Sequence, residues 1–146
     1  MKPIITIITV GLLASGAWAK DIEWQKTDDS VQKNYDSALA KAKKDKKVVL
    51  VDIYTDWCGW CKKLDRDTYS DKDVQAKVAK DFIAVKVNPE KSAAGSALAR
   101  QFGVRGYPFI AFVDADGKKI SQIGGYVNAT AFLSQLEQVA KQNNAK

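Results

Sequence analysis

The sequence predicts an α/β domain, a central mixed β-sheet flanked by helices on both faces. Three observations carry this expectation. Strand-like and helix-like segments alternate along the chain. Two of the strand-like segments, "VVLVDIY" (48–54) and "FIAVKV" (82–87), are almost continuously apolar, as in strands covered on both faces. "DADG" (114–117) divides two further strand-like runs in the way an Asp-Gly hairpin turn does.

The elements follow in order. Residues 1–19 read as a signal peptide set apart from the fold: Lys2, an apolar run from Ile4 to Leu13, then Ala17-Trp18-Ala19 as a small-x-small cleavage signal. The apolar run is too short to span a bilayer comfortably. Cleavage after Ala19 leaves residues 20–146 as one domain, placed in the periplasm or secreted. "DIEWQK" (21–26) alternates apolar and polar side chains as a short strand does. "TDDSVQKNYDSALAKAKKDKK" (27–47) opens with capping residues and repeats Val31, Tyr35, Ala38, Leu39 and Ala42 at helical spacing.

The strand 48–54 leads to the cysteine segment, after which "CKKLDRD" is compatible with helix. Ser70 to Asp73 resemble an N-cap for a second helical piece with Val74, Val78 and Ala79 inward. The strand 82–87 ends at Asn88-Pro89, and "SAAGSALARQF" (92–102) is helical, with Gly103 just past its end. "FIAFV" (109–113) and "KKISQI" (118–123) form the hairpin, which Gly124-Gly125 break. Asn128 caps a last helix with Phe132, Leu133, Leu136, Val139 and Ala140 as its apolar stripe, and "NNAK" frays.

The 146 residues, 46% hydrophobic and 27% charged, suffice for one core and exclude a disordered or collagen-like chain. The net charge of +6 comes from lysines scattered among acids. No nucleic-acid motif accompanies them, so this reads as a solvated basic surface, without nucleic acid as partner. No linker or repeat divides the domain, which is expected to be a monomer.

Cys58 and Cys61, in "WCGWC" (57–61), are the only cysteines. Three readings compete. A structural disulfide this short closes almost no loop and so restrains the unfolded chain little. A metal site is poorly supplied: zinc wants four ligands, and the chain has no histidine. Copper(I) accepts two thiolates, but Met1, the only methionine, leaves with the leader. Redox exchange fits the C-x-x-C pattern in a βαβ setting. Cys58 falls where a strand gives way to a helix, and a helix start offers unpaired N–H groups and the positive end of a dipole. Both favour a thiolate and lower its pKa. Cys61, one turn inward and expected to be less exposed than Cys58, can resolve a mixed disulfide.

"VDIYTDWCGWCK" resembles the active-site segment of thioredoxins. The resemblance extends to "VKVN" (85–88), "FGVRGYP" (102–108) and the hairpin with Gly124-Gly125, and covers 22–140. "ALAKAKKDKKVVLVDIYTDWC" and "DTYSDKDV" are most similar to the exported branch, which includes the soluble C-terminal domain of the transmembrane disulfide reductase. The resemblance implies the thioredoxin fold and a protein-disulfide oxidoreductase, Cys58 being the nucleophile and Cys61 the resolving thiol. It makes Asp52 the buried carboxylate that passes a proton to or from Cys61, and Lys86 its supporting neighbour. Pro108 matches the cis-proline facing the disulfide, and Tyr107 offers backbone to a substrate strand.

The chain departs from the family in carrying Gly59-Trp60 between the cysteines, and Phe109 after the proline where thioredoxin has threonine. Trp57, Gly59, Trp60, Tyr107 and Pro108 are the expected substrate-binding residues. Trp57, Trp60, Tyr107 and Phe109 are expected to form an aromatic rim that either packs or selects partners. Implied partners are cysteine-containing protein substrates and a membrane disulfide reductase as electron donor. No cofactor is implied beyond a redox-active Cys58–Cys61 disulfide. A reductase is favoured, since no histidine separates the cysteines. The alternative is a non-catalytic module that binds a partner or copper.

Overall fold

The computed structural model describes residues 21–26 and 30–145. The leader expected at 1–19 and most of the residues expected to cap the first helix (27–29) lie outside the described residues. Five strands form one mixed sheet in the order β1-β3-β2-β4-β5, comprising β1 (Trp24–Lys26), β2 (Val48–Ile53), β3 (Phe82–Val87), β4 (Phe109–Val113) and β5 (Lys119–Gly124). β1 and β2 run parallel to β3, while β4 is antiparallel to both β2 and β5. Five helices complete the described residues: α1 (Val31–Asp45), α2 (Gly59–Asp67), α3 (Lys72–Asp81), α4 (Ala93–Phe102) and α5 (Ala129–Asn144).

The period-two alternation of the central strands sorts the core into two layers. Val49, Val51 and Ile53 face α1 and α4, packing with Val31, Tyr35, Ala38, Leu98 and Phe102. Val48 and Leu50 face α2, α3 and α5, packing with Leu64, Val74, Val78, Phe132 and Leu136. By the same alternation Asp52 lies on the α2 side. Every residue of β2 is buried, as its apolar run requires.

Most helix boundaries follow from their caps. Asp71 accepts from the N–H groups of Asp73 and Val74, both at 3.0 Å, and starts α3. Ser92 and Asn128 cap α4 and α5. Gly103 ends α4 with φ +74°, in the left-handed region that glycine enters without strain.

Four local expectations are corrected. β1 begins at Trp24 rather than Asp21, because Ile22 accepts from the Trp24 N–H in a tight turn. Ser30 precedes α1 without a side-chain cap. Ala79 is exposed, and Gln75 is buried in α3 instead, its amide donating to Asp21 Oδ1 and to the Tyr69 carbonyl at 3.1 Å each. α5 continues to Asn144 rather than fraying at Asn143. Among the described residues no helix is long and apolar enough to cross a membrane.

Candidate functional site

β2 is the origin of the site. After Ile53 the chain leaves the sheet, Cys58 N–H donates to the Thr55 carbonyl at 3.3 Å, and α2 begins. Cys58 is the N-cap of α2, with extended backbone (φ −74°, ψ 105°), and its sulfur accepts from the Cys61 N–H at 3.1 Å. The sulfur thus occupies the place an aspartate or serine oxygen takes at an ordinary N-cap. Cys58 and Cys61 are joined in a disulfide with their Cα atoms 5.3 Å apart.

The two sulfurs differ in position but not in burial. Cys58 is 4% and Cys61 3% exposed, which corrects the expectation that Cys58 is the more open of the two in this oxidised state. Cys58 sits at the helix mouth, whereas Cys61 lies inside the first turn.

On the strand that leads into the cysteine segment, the β2–β3 register sets Asp52 directly beside Lys86. Asp52 is 1% exposed, which excludes a strand-end acid in solvent. Its Oδ2 lies 3.4 Å from Lys86 Nζ, and Lys86 also meets Asp65 Oδ1 at 2.6 Å. Three rings surround the ammonium: Tyr54 at 4.7 Å, Trp24 at 5.3 Å and Tyr69 at 5.9 Å to their centroids. The other Asp52 oxygen, Oδ1, has no hydrogen-bond partner among the described residues.

Burial pushes the Asp52 carboxyl from 3.8 up to about 6, against the pull of Lys86 and with a further push from Asp65. Burial pulls Lys86 down, but Asp52 and Asp65 together hold it above the ordinary lysine value. Burial, then the nearby Asp52 and Asp65 charges, raise the Tyr69 phenol well above its usual range. The result is a cation that stays charged next to a carboxylate that can titrate near neutral pH.

Just before β4, the Tyr107–Pro108 bond is cis. The Pro108 carbonyl accepts from Gly125 N–H at 2.8 Å, while Tyr107 makes no backbone hydrogen bond among the described residues. Gly59 is exposed, and nothing lies within 4 Å of where its Cβ would be.

The aromatic rim differs from expectation in one member and gains another. Trp57 and Trp60 stand 67% and 59% exposed. Trp57 packs edge-on against Tyr107 at 5.9 Å, and its indole N–H donates to the Glu90 carboxylate at 3.0 Å. Phe109 is not in the rim: β4 alternation turns it into the core layer under α1 and α4. Tyr126 takes a place in the rim instead, 5.7 Å from Trp60. Sequence reasoning missed Tyr126, Glu90 and Asp65. Only Asp65 left a signal, since it lies four residues after Cys61 and so on the same face of α2. Among the described residues no three cysteine, histidine or acidic side chains gather as a metal site.

A thioredoxin-like domain model matches residues 35–140. The chain is 36% identical over 107 residues to "Thiol:disulfide interchange protein DsbD" of Yersinia enterocolitica, a match covering 72% of this chain and 18% of that protein. It therefore spans less than a fifth of the length of that curated relative. The reduced DsbD c-terminal domain of Neisseria meningitidis superposes with TM-score 0.63 at 26% identity, covering 78% of this chain and 98% of that one. A thioredoxin from Thermus thermophilus superposes with TM-score 0.72 over 86% of this chain and 92% of that one, at 23% identity, a likeness of fold.

Proposed function

The chain belongs to the thioredoxin-like domain family, and from that premise we propose that it is an exported thiol–disulfide oxidoreductase that reduces disulfides in other proteins. The observation that carries this reading is the Cys58–Cys61 disulfide at the start of α2, with Cys58 as the N-cap and Cys61 inside the first turn. It comes with a buried carboxyl, Asp52, on the strand that leads into α2, and with a cis Tyr107–Pro108 bond. A module that only holds a partner has no need of a titratable carboxyl on that strand.

In the reducing direction, the Cys58 thiolate attacks one sulfur of a partner disulfide. A Cys58–partner bond forms, and the second partner sulfur leaves as a thiolate. Cys61 then gives its proton to the Asp52 carboxylate and attacks Cys58 Sγ. The Cys58–Cys61 bond closes and the partner's first sulfur departs, so the partner has gained two electrons and takes up two protons. The Cys61 N–H aimed at Cys58 Sγ stabilises the first thiolate. Lys86 keeps Asp52 ionised often enough to act as base. The Tyr107 backbone, without a backbone hydrogen bond among the described residues, suits an extended partner segment added as a short strand.

Export rests on the leader at 1–19, and a periplasmic site on that leader together with likeness to DsbD. A membrane disulfide reductase is the proposed source of electrons, because the chain has no nicotinamide or flavin fingerprint. The test is reduction of a protein disulfide by the dithiol form with dithiothreitol as the electron source. Parent protein turns over. Cys58→Ala abolishes turnover, and retention of activity in that variant refutes the reading.

A further inference from the structure

Tyr69 lies in the turn between α2 and α3 and is 5% exposed. Both its backbone and its ring are held. Its N–H donates to the Leu64 carbonyl at 3.0 Å, and its carbonyl accepts from the buried Gln75 amide at 3.1 Å. Its ring packs against Trp24 of β1 at 4.9 Å and edge-on against Phe132 of α5 at 5.7 Å.

The hydroxyl on this ring is buried without a hydrogen-bond partner among the described residues, and so is Asp52 Oδ1. A buried polar atom left without a partner is costly, and most such atoms are satisfied. Here one atom is a donor and the other an acceptor. Lys86 links them: its Nζ lies 3.4 Å from Asp52 Oδ2 and 5.9 Å from the centre of the Tyr69 ring. The two groups also act on each other electrostatically. Burial raises the Asp52 carboxyl, Lys86 lowers it, and Tyr69 lowers it further. Burial, then the Asp52 charge, raises the phenol, which therefore keeps its proton wherever Asp52 titrates.

The surroundings leave Tyr69 a distinct place. β3 supplies Lys86, and α2 supplies Asp65, a repelling charge. β4 sets the apolar Ile110 beside Asp52. α3 and α5 face the same layer with Val74, Val78, Phe132 and Leu136. Besides Lys86, Tyr69 is the side chain that offers Asp52 a donor.

We propose that Tyr69 is a positioning residue for the exchange reaction: its hydroxyl donates to Asp52 Oδ1 when the carboxyl ionises, while Lys86 holds Oδ2. This rests on the oxidoreductase reading. Each carboxylate oxygen then has its own donor, and Asp52 stays available as the base for Cys61 near neutral pH. No proton leaves the phenol.

Tyr69→Phe tests this, because it keeps the ring and its packing and removes only the hydroxyl. In the oxidised protein, carbon NMR follows the Asp52 carboxyl as pH is varied, with no turnover needed. Loss of one hydrogen bond to a charged group should move its midpoint up by about one pH unit. The acid limb of protein-disulfide reduction should move with it. From a parent midpoint of about 6, Tyr69→Phe should be about fivefold slower at pH 6 and converge on the parent by pH 9. In an Asp52→Asn background the same substitution should leave the rate unchanged.

An Asp52 midpoint that stays in place or falls in Tyr69→Phe overturns the proposal. So does a slowing that is equal at pH 6 and pH 9, or one that persists in the Asp52→Asn background, since either marks a merely structural role. A parent whose Asp52 midpoint responds to Tyr69→Phe but which reduces no protein disulfide overturns the oxidoreductase reading, and the role in exchange with it, while the contact itself stands.

Discussion

Replacing Asp52 by asparagine should change the pH dependence of stability by an amount that the site itself sets. The carboxyl is fully buried, with one oxygen near Lys86 and the other without a hydrogen-bond partner among the described residues. Its pKa rises from 3.8 to about 6 in the fold. At about 1.4 kcal/mol per pH unit, ionising it in the native state costs about 3 kcal/mol more than in the unfolded chain. A carboxyl whose pKa is raised on folding favours the native state at low pH. That contribution is complete below about pH 4, falls as pH rises, and is gone above the folded value of about 6. Asparagine has the same shape, cannot ionise, and leaves Lys86 paired with Asp65.

The oxidised Asp52→Asn protein should therefore match the parent near pH 4 and exceed it by about 3 kcal/mol at pH 8, or roughly 10 °C in Tm. Chemical denaturation of both proteins at closely spaced pH values measures this. The difference between them cancels the titrating groups that do not interact with Asp52. A difference that stays flat across the range, or one that favours the parent at pH 8, refutes the reasoning that burial dominates this carboxyl.

Three further outcomes are expected. Alkylation of the reduced protein at neutral pH should label Cys58, and Cys61→Ala should trap mixed disulfides that Cys58→Ala does not. Mapping of the modified peptide decides, and preferential labelling of Cys61 reverses the assignment. Asp52→Asn should slow exchange by on the order of tenfold near neutral pH and erase the acid limb of the rate profile; stopped-flow rates unchanged from pH 6 to 9 remove Asp52 from the mechanism. Asp65→Asn takes away a charge that raises Asp52 and leaves Lys86 to it alone. The acid limb should then move to lower pH, whereas an upward move contradicts the shared-lysine geometry.

Much of the site was legible in sequence because it is local or periodic. Cys58, Gly59, Trp60 and Cys61 are adjacent. Asp52 is placed by the alternation of β2, and its burial by the apolar residues on either side of it. The pairing of Asp52 with Lys86 needs the register of β2 on β3, which the family resemblance supplied and spacing could not. Phe109 was misjudged because it directly follows Pro108, which the family resemblance sets against the disulfide, while the alternation of β4 turns its ring into the core. Tyr126 escaped notice because its place beside Trp60 depends on two long-range hydrogen bonds, from Gly125 to Pro108 and from Thr68 to Val127. Ala79 and Gln75 exchanged places for a similar reason. A buried glutamine is tolerated only where its amide is satisfied, and its partners Asp21 and Tyr69 are brought to it by the tertiary fold.

The reduction potential of the Cys58–Cys61 couple tests the reductase assignment most directly. Without a histidine between the cysteines, the Cys58 thiolate is stabilised by the helix mouth and the Cys61 N–H, with no added cation inside the motif. We expect a potential between about −270 and −200 mV, a range in which the dithiol reduces strained or exposed disulfides but not well-buried structural ones. Equilibration in glutathione or dithiothreitol buffers, read by the fluorescence of Trp57 and Trp60, gives the value. A potential near −120 mV, the range of a strong oxidant, contradicts the assignment.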